Sequence, residues 1–434
     1  MKTLPLFVFL AATIAAGAAP EAPGTPEIPE TLSMEQAKAE ALQNHPNYAA
    51  AQLRSLLARE ALKETQSAFY PAASGYVTAV DTAWDNTRIM AGGLNNPSVY
   101  DRVAEGVAVT QLITDFGRTN NLARSSKSQV RAAAEGAEAS REQVLLNAEA
   151  NYLATLQAQA VHNVARQTVG ARQLLVNQVS ALAQNKLKSD LDVSFSRVAL
   201  EEADLLVQKS EGDLEGAMAS LGAALGHRQP RAFTLVDQPQ PPVAPPDEAT
   251  LIETALRQRP DLLNLRYQRD SAKSLATAER DANYPTLAAV GVLGNSPAHD
   301  THLPDNYAAG GVQLSIPLFA GGAYLARQHE AEIRARLADE NLRESENLVV
   351  RDVRLALVAV KTAFKRLSTT RQLVQHATEA SDLARARYKV GSSSIVELTD
   401  AELSAATAAI SLANAEYDVR VQMAVLDYQV GALR

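Results

Sequence analysis

The chain is written twice. Ala41-Leu42-Gln43-Asn44-His45-Pro46-Asn47 returns as Ala255-Leu256-Arg257-Gln258-Arg259-Pro260-Asp261, 214 residues later, and Tyr70-Pro71 returns as Tyr284-Pro285 at the same distance. Further along the distance is 205: Asp192-Val193 meets Glu397-Leu398, and Leu225-Gly226 meets Val430-Gly431. A shortening by 9 residues therefore lies between Pro285 and Ile316. A tandem duplication restricts the fold severely, because whatever one copy builds the other must build again. The spacing divides the chain into a first repeat, 33–226, a proline-rich linker, 227–247, and a second repeat, 248–434.

Each repeat opens with two helices. Ser33-Met34-Glu35-Gln36 reads as a capping box, and the helix it starts stops at Pro46, since proline disfavours helical geometry in the residue before it. Tyr70-Pro71 ends the second helix. After the next segment the helical period resumes and does not break from Asp115 to Asn185, 71 residues. At 1.5 Å per residue that is about 105 Å, the length of a rod or a tunnel wall. The return helices carry matching heptads, Val193, Leu200, Ala203 and Val207 in one copy and Leu398, Ala405, Ala408 and Leu412 in the other. Alanine at many seam positions lets helices approach closely and form a wall without a thick core. Two long hairpins follow, 115–226 and 322–434.

Between Tyr-Pro and each hairpin the period changes from helical to alternating. Val107 and Val109 alternate with Gly106, Ala108 and Thr110, while Val312, Leu314 and Ile316 alternate with Gly311, Gln313 and Ser315. The segments 71–111 and 285–316 each have room for two strands and a loop, with the 9-residue excess of the first in its loop. A tilted strand of about 9 to 11 residues crosses an outer membrane. Four strands cannot close a barrel, for which about eight are needed, and open edges in lipid are not viable. Three chains supplying twelve strands resolve the conflict. Tyr76, Trp84, Tyr100 and Tyr307 suit the interfacial girdle of such a barrel, or ordinary half-buried positions.

Composition narrows the function. Among 434 residues there is no cysteine, which removes disulfides, thiolate metal sites and a cysteine nucleophile. A net charge of -8 argues against a nucleic-acid partner. Residues 1–18 read as a signal peptide, with Lys2, an apolar run and Ala16-Gly17-Ala18, and 19–32 as a Pro-rich leader. No enzyme pattern emerges. His329-Glu330 begins a zinc-protease motif, but Ile333 stands where the second histidine is needed. His299, Asp300, His302 and Asp305 have metal-ligand chemistry but fall in the loop between the second pair of strands, and His162 and His376 read as helix-surface positions. No cofactor is expected.

The most informative stretch is the tip of the second hairpin, where a glycine and three serines interrupt the helix. Tyr388, Val390, Gly391, Ile395, Val396, Asp400 and Ala401 stand there in the order used at the periplasmic entrance of TolC-type outer-membrane efflux proteins. The sequence resembles that family over nearly all of the mature chain. The resemblance implies an α+β, mainly α, fold in which long helical hairpins form a periplasmic α-barrel. It also implies a twelve-stranded trimeric β-barrel to which each chain contributes four strands.

The same resemblance implies a role, the exit duct of a tripartite efflux or type I secretion system. The expected partners are two further copies, outer-membrane lipid, a periplasmic adaptor and an inner-membrane transporter. Glu397 and Asp400, three apart on one helix face, correspond to the carboxylates that ring the closed entrance, with Tyr388 as the third gate residue. Six carboxylates in a trimer would attract cations. Where the family has an arginine that ties the tip, this chain has Ser393, so packing and hydrogen bonds of Tyr388 are expected to hold the mouth rather than a salt bridge. The tips, with Arg387, Val390, Gly391 and Ser393 in one copy and Lys186, Leu187, Ser189 and Asp192 in the other, are where the adaptor would dock. The alternative reading is a soluble periplasmic coiled-coil scaffold or adaptor, which has no use for paired strands in mid-helix.

Overall fold

The structure is a computed structural model and describes residues 30–433 except 82–86, 92, 93, 100, 230, 232, 239–245, 302 and 303. The expected signal peptide, most of the leader, Trp84, Tyr100, His302 and much of the linker lie outside the described residues.

A short strand β1 (Glu30–Leu32) leads into α1 (Met34–Asn44) and α2 (Pro46–Ser67). The capping box at Ser33 is present: its hydroxyl accepts the Gln36 N–H, and the Gln36 side chain accepts the Ser33 N–H at 2.9 Å. Pro46 occupies the first turn of α2, where its missing N–H costs nothing. Strands β2 (Ala72–Val80), β3 (Thr87–Ala91), β4 (Leu94–Val99) and β5 (Arg102–Thr114) come next, then the hairpin of α3 (Arg118–Gln184) and α4 (Asp190–Ala224). After β6 (Phe233–Leu235) the pattern repeats: α5 (Glu248–Gln258), α6 (Pro260–Asp281), β7 (Thr286–His299), β8 (Asn306–Ser315), α7 (Ala323–Lys389) and α8 (Ile395–Val430).

Strands β2, β5, β7 and β8 form one antiparallel sheet in that order. The segment expected to hold two strands and a loop in fact holds four, because β3 and β4 pair into a hairpin of their own. Asn95-Asn96-Pro97 inside β4 hid it, since these residues argue against a strand. The second segment has only β7 and β8, and the excess length of the first lies in this hairpin.

Both outgoing helices have 67 residues, about 100 Å. Their partners are shorter, so each long helix is covered in two stages. Toward the tip α3 packs on α4 and α7 on α8; toward the sheet α3 packs on α2 and α6, and α7 on α6. Each long helix starts just after a left-handed glycine, Gly117 (φ 111) or Gly322 (φ 83), which turns the chain sharply out of the strand. The core is accordingly not one lump. One cluster joins α1, the middle of α3, α8 and the parallel pair β1–β6, where the Tyr152 hydroxyl lies 2.8 Å from the carbonyls of both Leu32 and Val236. A second joins α5, α6, α7 and α8, and a third sits at the tips. No helix among the described residues is long and apolar enough to cross a membrane.

Candidate functional site

The tips of the two hairpins meet. Leu175 and Val179 from α3 pack against Ala384 and Tyr388 from α7 and Ile395 and Leu398 from α8, a small apolar plug two turns inside the end of the molecule. Lys188, from the first tip, lies over the Tyr388 ring with its ammonium 3.9 Å from the ring centre. The ring's π face attracts that charge. Tyr388 is 5% exposed, and burial, with Asp192 nearby, raises its pKa.

Two expectations about the mouth need correction. The Tyr388 hydroxyl is buried with no hydrogen-bond partner among the described residues, so Tyr388 contributes packing and a cation–π contact there rather than hydrogen bonds. Salt bridges, expected to be absent, are there. Arg387 reaches across its own hairpin to Glu397 at 2.7 Å and also donates to the Ser392 carbonyl at 3.3 Å. Ser393, where the family arginine would stand, has only a local 3.4 Å contact to the Ser394 carbonyl. The carboxylates of the expected ring are therefore unequal: Glu397 is paired, while the Asp400 side chain makes no ion pair among the described residues.

The remaining tip residues divide by role. Ser189 caps α4 by accepting the Asp192 N–H at 3.1 Å, and Asp192 returns the bond to the Ser189 N–H at 3.2 Å, so both are engaged in a capping box. Ser394 does the same one-sidedly for Glu397. Lys186 and Gly391 occupy equivalent positions, and both are left-handed, with φ of 56 and 79. Leu187 and Val390 are 70% and 79% exposed and form an apolar end to the molecule.

Sequence reasoning missed the tie just inside the tips. Arg172, on α3, is 4% exposed and donates to the Thr399 carbonyl of α8 at 3.0 Å. Its guanidinium lies 3.1 Å from Glu402, which also holds Arg385 of α7 at 2.9 Å. Burial lowers the Arg172 pKa and Glu402 works against that shift. This buried charge links the first hairpin to both helices of the second. A lone arginine in an otherwise apolar stripe of α3 was the available signal.

The sheet is the second functional surface. Its register puts Tyr76, Gly106, Gly294 and Tyr307 in one row across all four strands. Val77, Val107, Leu293, Val312 and Leu314, all exposed, share the opposite face, while Ser74, Thr110 and Gln313 share the face of the tyrosines. Lipid suits the first face and water the second, and Tyr76 and Tyr307, expected at the interfacial girdle, stand on the face opposite the exposed valines and leucines. His299 contacts the Asp305 carboxylate and the Asp300 carbonyl, each at 2.8 Å. Among the described residues no group of three potential ligands could hold a metal. His162, expected on the surface, is half-buried with its Nδ1 3.1 Å from Ser210 of α4, whereas His376 is exposed.

An open four-stranded sheet with one more apolar face, fused to two hairpins that each carry a 67-residue helix, defines a fold in which a long helical wall is joined to a share of a β-sheet wall. Known structures agree on the fold. A membrane protein from Pseudomonas aeruginosa superposes with a TM-score of 0.79 at 22% identity, covering 92% of this chain and 93% of that one. The CmeC outer membrane channel of Campylobacter jejuni gives 0.77 at 19% identity, covering 92% and 85%. The sequence profile described as "Outer membrane efflux protein" matches residues 38–227 and 251–432, and the chain belongs to that family. Outer membrane protein TolC of Escherichia coli (strain K12) is 25% identical over 243 residues, 52% of this chain and 48% of that protein. The chain thus spans about half the length of the curated TolC proteins it matches.

Proposed function

We propose that the chain is one subunit of a trimeric outer-membrane exit duct serving a tripartite efflux or type I secretion system. One observation carries the reading: the sheet has an apolar face and two edges, β2 and β8, that no strand among the described residues pairs. In lipid such edges are costly, and three copies bring the strand number above the roughly eight that close a barrel. A soluble coiled-coil scaffold accounts for the helices but leaves this sheet without a purpose. The duct performs no chemistry and consumes no energy. A periplasmic adaptor docks on the exposed apolar tips around Leu187 and Val390, and an inner-membrane transporter supplies the cargo.

The mouth is the gate. Closed, it is held by the apolar plug around Tyr388 and Leu398 and by the Arg172–Glu402–Arg385 tie. Opening swings the second hairpin away from the first. The Arg172 contacts break because they join the two hairpins, whereas Arg387–Glu397 survives because it lies within one. Both positions of the hairpin are packed states, and adaptor contacts bias the equilibrium between them.

Fractionation and bilayer recording test the reading together. The protein should stay with the outer membrane through osmotic shock, need detergent for release, and form discrete channels in a planar bilayer. Release by osmotic shock in a soluble form would reject it.

A further inference from the structure

The Tyr76–Gly106–Gly294–Tyr307 row has a geometry that a plain barrel wall does not require. The two tyrosines sit on β2 and β8, the outermost strands, yet their hydroxyls meet at 3.0 Å above the middle of the sheet. The Tyr307 hydroxyl donates to the Glu105 carbonyl at 3.0 Å, so its single proton is committed and Tyr76 must be the donor to Tyr307. To reach this position the rings lie along the sheet instead of standing off it. They can do so only because the floor beneath them has no side chains. A Cβ on Gly106 or Gly294 would overlap the Tyr307 hydroxyl, and one on Gly106 would also come within 2.7 Å of the Leu293 carbonyl. A Cβ on Gly294 would also meet the Glu105 carbonyl, so both glycines serve the close approach of β5 and β7 and, in the same row, leave the floor bare beneath the two hydroxyls. Beside the rings a hollow of about 270 Å³ between Thr78, Arg102, Ala104 and Ser296 leaves them room to move.

We infer that Tyr76 and Tyr307 form a clasp that sets the width of the bore near its outer end. Resting on the reading of the sheet as a barrel wall, this adds a second control point to the gate at the tips. With the clasp closed the rings lie flat on the glycine floor and the bore is wide. With it open the rings project into the bore, narrow it and offer their π faces to passing cations.

Single-channel recording on the full-length protein tests this, with migration of the unheated assembly in SDS used to show that each variant has folded. Tyr307→Phe removes both hydroxyl bonds and Tyr76→Phe one, while each keeps its ring and the glycine floor. The steady open level should therefore give way to flicker between it and a lower sublevel, more so for Tyr307→Phe. Gly294→Ala, whose Cβ would meet both the Tyr307 hydroxyl and the Glu105 carbonyl, is read only where its unheated assembly migrates as the parent's does, and should then hold the channel at the lower level. Val77→Ala, on the opposite face, should leave the current as in the parent. Currents from Tyr307→Phe and Gly294→Ala that match the parent in level and noise would overturn the clasp and leave the duct intact. A parent protein that forms no channel overturns the bore, and the clasp falls with it. Failure of Tyr76→Phe to assemble, the mildest change, contradicts a role confined to the bore.

Discussion

Glu142 shows how one residue can oppose the fold that contains it. It lies on α3, buried, with the charges of Asp261 and Arg259 of the second repeat acting on it. Burial first, then the Asp261 charge, raises its pKa to about 7. The native state therefore binds its proton more tightly than the unfolded chain does. As pH rises from about 4.3 toward 7, the unfolded chain loses this proton first and stability falls through that window. Glu142→Gln should melt higher than the parent at about pH 8 and no higher at about pH 4. An equal difference at both would show that the site is not titrating. At the hairpin tip Arg387 pairs with Glu397, so in the proposed gate Asp400 is the carboxylate left to act on passing ions. Asp400→Ala should reduce cation preference in reversal-potential measurements, and Arg387→Ala should increase it by freeing Glu397. If neither moves the reversal potential, the acidic ring is not on the conduction path. The residue types of this site were legible from the tip motif, but their pairing was not. Whether an arginine reaches the carboxylate ten positions on depends on how two helices cross the turn.

Among the elements, the long helices were the easiest to read, because their period persists far beyond what chance allows. Local chemistry sets where helices begin, the left-handed glycines for α3 and α7 and the Ser189 and Ser394 caps for α4 and α8, within a few residues of the breaks in the pattern. The sheet was harder. Alternation locates β5 and β8, but β3 and β4 read as loop in the sequence, and the alternation does not by itself say which face meets lipid. Tertiary register separates the faces, placing Leu293, Val107 and Val77 on one side and the tyrosine row on the other. A test follows from the assignment. Leu293→Arg, on the apolar face, should cost roughly 2–4 kcal/mol of stability in membranes, against little for Ser74→Arg on the wet face. Equal losses in a detergent-to-lipid refolding titration would mean the faces are reversed or both are wet.

At the scale of the whole molecule the chain is unfinished. Two hairpins with helices of 67 residues, about 100 Å, leave more surface bare than a compact monomer of this length would. Much of that surface is apolar, including Leu53 and Leu57 on α2, Leu205 on α4 and Leu355 on α7. Light scattering of the detergent-purified protein should give about three chains per particle. A monomeric particle that still conducts would contradict closure of the barrel by sister chains. The sequence alone determined the repeated plan, the order of helices and strands, the place where the chain turns back and the residues gathered there. These are properties of local period, capping and turn chemistry, which each segment carries within itself. Only the tertiary structure decided which charges pair, that Arg172 binds the hairpins together, and that two distant tyrosines meet over two glycines. Such contacts join residues up to 231 positions apart, and their geometry exists only once strands and helices have taken their register against one another.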